Sequence, residues 1–207
     1  MSDDLAVAAG QDALMEAPVF GIPVKKLTMW FFIISDTLTF GAFLFSYGYT
    51  RISSSNWGAP FESGTIINGV IMSVVLVTSG LTMLAAVAAA KNDNKPRALR
   101  WLGVTMALGA LFAILHLREW FKMIGEGWRL FQNPTGGAQK FGAAFFSITG
   151  LHMAHVIVGI IVIGVIAMGF RSGRFDSNHV ETTGLYWHFV DVVWMFVFPL
   201  MYLMNAR

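Results

Sequence analysis

The sequence contains no cysteine. That excludes a disulfide framework, a thiolate nucleophile, sulfur-ligated zinc and iron–sulfur clusters held by thiolates. Charge is scarce as well: 13% of the 207 residues are Asp, Glu, Lys or Arg, against 56% hydrophobic, and the mean hydropathy is +0.62. Soluble domains carry about a quarter charged residues, so this composition suits a chain that lives in lipid. The formal net charge is only +2 with a pI near 9.0. The basic residues lie in loops beside apolar runs and form no patch for nucleic acid, so no nucleic-acid partner is expected. Residues 1–24 hold Asp3, Asp4, Asp12 and Glu16 and lack the basic start and apolar centre of a secretory signal. They are expected to be a flexible soluble leader to a transmembrane domain over residues 25–207.

Long apolar runs are what the sequence does have. A helix crosses the hydrocarbon core with about 20 mostly apolar residues, its backbone groups satisfied internally. Five segments qualify, at roughly 27–49, 66–90, 101–124, 141–170 and 185–204, and the fold class is therefore an all-α integral membrane bundle of five helices. Short polar punctuation separates them, for example KNDNKPRALR and RSGRFDSNHVETTG, so neighbouring helices should run antiparallel. Lys25, Lys26, Lys91, Lys95, Arg97, Arg100, Arg171 and Arg174 flank one side of the spans. Arg51, Lys122, Arg129, Lys140 and Arg207 lie on the other, with Arg118 just inside a helix end. The positive-inside bias places the N-terminus in the cytoplasm and, after five crossings, the C-terminus in the periplasm. Trp30, Trp57, Trp101, Trp120 and Trp128 fall near span ends, where indole rings favour the interface. No internal repeat is visible, which argues against the inverted-repeat transporters.

Ionisable residues at mid-membrane cost a few kcal/mol or more and normally face other helices. Asp36, in WFFIISDTLTFG, can be read as a proton-exchanging or lipid-sensing carboxylate, or as a hydrogen-bonded side chain at a helix contact. His152 and His155 share a face with Thr149 and Gly159, a small polar stripe suited to close packing. Their spacing is not that of a helical zinc site, and no Glu-x-x-His motif of di-iron bundles occurs anywhere. His188 and Asp191 also lie three apart on one face, with Gly184 and Met195 continuing the stripe. They could hold each other, or Asp191 could accept from a tryptophan or histidine on the next helix. With no Gly-x-Ser-x-Gly elbow, hydrolase chemistry finds no support. His116, Arg118 and Glu119 read as a charge cluster at the outer end of the third span, where Arg118 can snorkel and pair with Glu119. His179 and Glu181 could cap the fifth helix or contact a partner. Pro199 should bend that helix slightly. No Cys-x-x-Cys-His haem motif is present, and the twelve methionines read as packing filler. No catalytic residue, metal ligand or cofactor-binding residue is assigned.

Three segments carry a resemblance. FFSITGLHMAHVIVG, YWHFVDVVWMFVFPLMY and WFFIISDTLTFGAFLF resemble subunit III of the haem–copper respiratory oxidases, over nearly the whole chain from about residue 27. The chain looks like the short five-helix form rather than the seven-helix one. Asp36 stands where mitochondrial-type members have glutamate, which is similar to the quinol-oxidase branch. The resemblance implies an accessory subunit without redox centres in a proton-translocating terminal oxidase of aerobic respiration, in the bacterial inner membrane. Haems and copper are then expected in partner subunits, with catalytic subunit I, subunit II and a small subunit IV as partners and bound phospholipid at the surface. It further implies that the chain stabilises the catalytic subunit and supports proton uptake. Asp36, Glu119, His152, His155, His188 and Asp191 become buried interhelical ties, and Arg171 a lipid headgroup contact. An accessory subunit of a nitric oxide reductase system and a small proton or solute transporter are the competing readings.

Overall fold

The computed structural model describes residues 23–54, Trp57, 60–131 and 139–206, and the expected leader lies almost wholly outside them. Five helices follow one another: α1 (Val24–Ile52), α2 (Ser63–Lys91), α3 (Lys95–Gly125), α4 (Gln139–Ser172) and α5 (Ser177–Met201), then a 3₁₀ turn at Leu203–Asn205. All five are long and apolar enough to cross a membrane. At 1.5 Å per residue, 29 residues of α1 reach about 43 Å, beyond the ~30 Å of hydrocarbon, so each helix carries its charged ends clear of the apolar middle.

Local chemistry sets the turns. Only Asn92, Asp93 and Asn94 separate α2 from α3, with Asp93 in the left-handed region at φ 52°. Asn94 caps α3 by accepting from the Arg97 amide, and Pro96 takes an early position where its missing N–H would have been unpaired anyway. Gly173, at φ 79°, turns the chain from α4 towards α5. Asp176 then caps α5 through a reciprocal capping box with His179.

Antiparallel neighbours α2, α3, α4 and α5 close a four-helix ring, and α1 leans against α4 and α5 from outside. Of α1, only Phe40 and Tyr47 are buried. Lipid is as apolar as leucine, so the ring is held by close packing and interhelical hydrogen bonds rather than by transfer from water. The buried Trp187 shows how tight the packing is. Its ring fills a slot between α3 and α4 where a methyl on Gly109 or Gly159 would come within 2.6 or 2.8 Å of it. Phe61, Phe112, Phe141, Phe145, Trp194 and Tyr202 are further large rings almost fully buried.

Candidate functional site

The polar groups inside the bundle are the candidate site. Asp36, nearly half-way along α1, points at α4, and its Oδ2 lies 2.7 Å from His155 Nε2. The other ring nitrogen, Nδ1, sits 2.8 Å from the Leu151 carbonyl, which can only accept, so Nδ1 carries a proton. The approach to Asp36 is then attractive only with one further proton between Nε2 and Oδ2, which leaves the pair neutral overall. Oδ2 is buried and the contact is close, but its geometry is not that of a well-directed hydrogen bond. Phe40 stands edge-on to the imidazole and the Tyr186 hydroxyl donates to the His155 carbonyl at 3.0 Å, fixing α1, α4 and α5 around one point.

One turn earlier on α4, His152 is fully buried and its Nε2 lies 3.2 Å from the Val190 carbonyl of α5. Thr149 accepts from Trp120 Nε1 at 3.2 Å, joining α4 to α3. Glu119 accepts from Asn68 Nδ2 of α2 at 2.8 Å. The expected outer charge cluster of His116, Arg118 and Glu119 is therefore corrected. His116 and Glu119 are buried while Arg118 points out, because residues 116, 119 and 120 fall on the inner face of α3 and 118 on the opposite one. His116 packs against Phe112, Trp120 and Trp194, and neither of its nitrogens has a hydrogen-bond partner among the described residues.

His188 and Asp191, expected to tie α5 to a neighbour, make no interhelical hydrogen bond among the described residues. Their nearest approach, Nδ1 to Oδ2, is 3.9 Å. Asp191 lies against the backbone at Gly80 on α2, and its Oδ1 is buried without a partner. Tryptophans make the α5–α2 ties in their place: Trp187 Nε1 donates to Ser79 Oγ at 3.0 Å and Trp194 Nε1 to Ser73 Oγ at 2.9 Å. Sequence reading passed over both serines and the two indoles. The Trp–x6–Trp spacing on one helix against Ser–x5–Ser on another was the available signal.

Each end of the bundle carries a clamp. At the end holding the N-terminus of α1, Glu181 Oε1 receives Lys26 of α1 at 2.8 Å and Lys91 of α2 at 2.9 Å. Beside it His179 Nδ1 lies 2.6 Å from Asp176 Oδ1. Burial alone would raise the Asp176 carboxyl, but the hydrogen bonds from His179 outweigh it and hold the group below its usual value of 3.8. At the opposite end Asn205 takes Trp57 Nε1 on its Oδ1 at 2.7 Å, while its Nδ2 reaches the Tyr47 hydroxyl at 2.9 Å and the Met201 carbonyl at 2.8 Å. Arg51 donates to the same hydroxyl at 2.9 Å. This knot of α1, the α1–α2 connection and the end of α5 was also unread in the sequence. Arg171 is exposed in the last turn of α4. Among the described residues, no three His, Asp, Glu or Cys side chains gather as a metal site.

The family model for cytochrome c oxidase subunit III matches residues 21–206. The chain belongs to that family. As a subunit III it is similar to subunit 3 of the cytochrome c oxidase of Alkalihalophilus pseudofirmus, 31% identical over 185 residues that cover 88% of this chain and 87% of the relative. It is equally similar to subunit 3 of the cytochrome bo(3) ubiquinol oxidase of Pseudomonas aeruginosa, 31% identical over 180 residues, 86% of this chain and 83% of the relative. Subunit 3 from the tick Rhipicephalus sanguineus is matched over only 69% of its own length, at 31% identity over 86% of this chain. The subunit III here is the five-helix form, in a family whose members themselves carry no redox centres. It is a multi-pass membrane subunit of a haem–copper terminal oxidase.

Proposed function

We propose that this subunit stabilises the haem- and copper-bearing catalytic subunit and, with bound phospholipid, supports proton uptake on the cytoplasmic side of a bacterial inner membrane. The observation that carries the reading is how the interior polar groups are used. Asp36 and His155, His152 and the Val190 carbonyl, Glu119 and Asn68, and the two indole–serine pairs all join one helix to another. Groups committed to ties in this way build a scaffold, and the oxygen chemistry belongs to the partner. Asp36, Glu119, His152 and His155 act as ties within the subunit. The N-terminus faces the cytoplasm, where Lys26, Lys91, Lys95, Arg171 and Arg174 stand at one end of the bundle. There Arg171 meets a lipid phosphate. Catalytic subunit I, subunit II and a small subunit IV complete the assembly.

Purification from native membranes on a tag at this chain tests the reading. A haem-containing, oxygen-reducing complex is expected to come with it, and turnover per haem should fall in preparations stripped of phospholipid and recover when lipid is returned. A haem-free preparation would overturn the whole reading. Turnover indifferent to lipid would overturn the lipid role.

A further inference from the structure

Seven buried side-chain atoms find no hydrogen-bond partner among the described residues, and five of them gather in one place. They are both nitrogens of His116, Oε1 of Glu119, Nδ1 of His152 and the Tyr202 hydroxyl. His116 and His152 pack on the same two rings, Phe112 and Trp194, with centroids 5.1–5.7 Å apart, and Tyr202 packs on Trp194 at 6.0 Å. Glu119 sits one turn beyond His116 on the inner face of α3, within electrostatic reach of the Tyr202 hydroxyl, as His116 is of His152. All four side chains are sealed from outside, Glu119 at 5% exposure and the others at 0%.

The group spans the ring. His116 and Glu119 belong to α3, His152 to α4 and Tyr202 to the end of α5. Direct ties from this part of α3 run to its neighbours, through Glu119 with Asn68 of α2 and Trp120 with Thr149 of α4. Tyr202 stands diagonally across from them. Buried polar atoms are nearly always paired, and five left bare together would be costly.

The missing partner must both donate and accept. With Nε2 turned to the Val190 carbonyl, a neutral His152 presents Nδ1 as an acceptor. A Glu119 carboxylate accepts at Oε1, the Tyr202 hydroxyl donates, and a neutral His116 offers one of each. A metal cation would meet only the acceptors, and an apolar molecule would meet none. Water meets both kinds, and polar groups that interact without touching leave the span that a bridging water fills. Entry from the membrane surface is short, since Glu119 lies six residues before the end of α3 at Gly125, about 9 Å along the helix.

We propose that about two internal waters, at some three hydrogen bonds each, occupy the ring between His116, Glu119, His152 and Tyr202 and bridge α3 to α4 and α5. A density map of the protein in its native complex, fine enough to show ordered water, tests this. Density is expected about 2.7–3.2 Å from Glu119 Oε1 and from at least one His116 nitrogen. Side chains bonded directly to one another with nothing between them, or a peak at the roughly 2.0–2.2 Å of a metal–ligand bond, would overturn it. Substitution at His116 gives a second readout, because wet and dry interiors predict opposite signs. In a wet interior His116→Phe takes two partners from the waters and strands Glu119 and His152, so the purified full chain should unfold several times faster in mixed detergent. His116→Gln keeps a donor and an acceptor and should stay within about twofold of wild type. In a dry interior His116→Phe removes two unpaired atoms. Unfolding of His116→Phe no faster than wild type, or equal acceleration by both variants, would therefore overturn the proposal.

Discussion

Three histidine–aspartate pairs lie among the described residues, and they behave differently. His155 and Asp36 are 119 positions apart and approach to 2.7 Å across two helices. His188 and Asp191 share one helix face at a spacing of three, yet stay 3.9 Å apart with a carboxyl oxygen unpartnered. Asp176 and His179 have the same spacing of three and close to 2.6 Å. Spacing alone therefore does not make a pair. Asp176 is an N-cap with an extended backbone that swings its carboxyl over the first turn, whereas His188 and Asp191 are both helical, with Asp191 turned in against Gly80 of α2 and the His188 side chain 42% open.

Trp187 sits in a slot for which Gly159 holds the space. Gly159→Val would drive the ring out of its slot, since even a single methyl there comes within 2.8 Å of Trp187 and 3.1 Å of Tyr186. The expected loss is about 3 kcal/mol, near the top of the overpacking range, read as reduced resistance of the purified chain to unfolding in mixed detergent. Next in size is His155→Ala, which leaves Asp36 facing α4 without its partner and should cost about 2 kcal/mol in the same assay, more than an average interhelical hydrogen bond. Asp176→Ala should cost about 1 kcal/mol as a lost cap. Because the folded Asp176 value lies below 3.8, its contribution is present above that pH and is lost as the pH falls through the lower folded value. The wild type should lose this increment as the pH falls below 3.8, and the variant should show no corresponding loss there.

The sequence made the five helices legible because apolar runs of this length have one stable solution in lipid, and the short polar turns at 92–94 and 173–176 announced antiparallel neighbours. The stripe of Thr149, His152, His155 and Gly159 was legible as a packing face for the same reason. Which helix each group meets was not, since it depends on how the helices are rotated about their axes. His116 illustrates this: proximity to Arg118 suggested a helix end at the membrane surface, while its position on the inner face of α3 decided for complete burial. The Asn205 knot was hidden for another reason. An asparagine near the chain end carries no periodic signal, and its partners Tyr47 and Trp57 are about 150 residues away.

The central claim is that Asp36 ties two helices of this chain together and that Asp191, though buried, makes no such tie. Unfolding of the purified full chain in mixed detergent, comparing Asp36→Asn with Asp191→Asn, tests it most directly. Asparagine keeps the shape of each side chain and replaces one carboxyl oxygen with an amide. The account predicts a loss of about 1–2 kcal/mol for Asp36→Asn and under about 0.5 kcal/mol for Asp191→Asn. Equal losses, or a larger loss from Asp191→Asn in the chain alone, would contradict it.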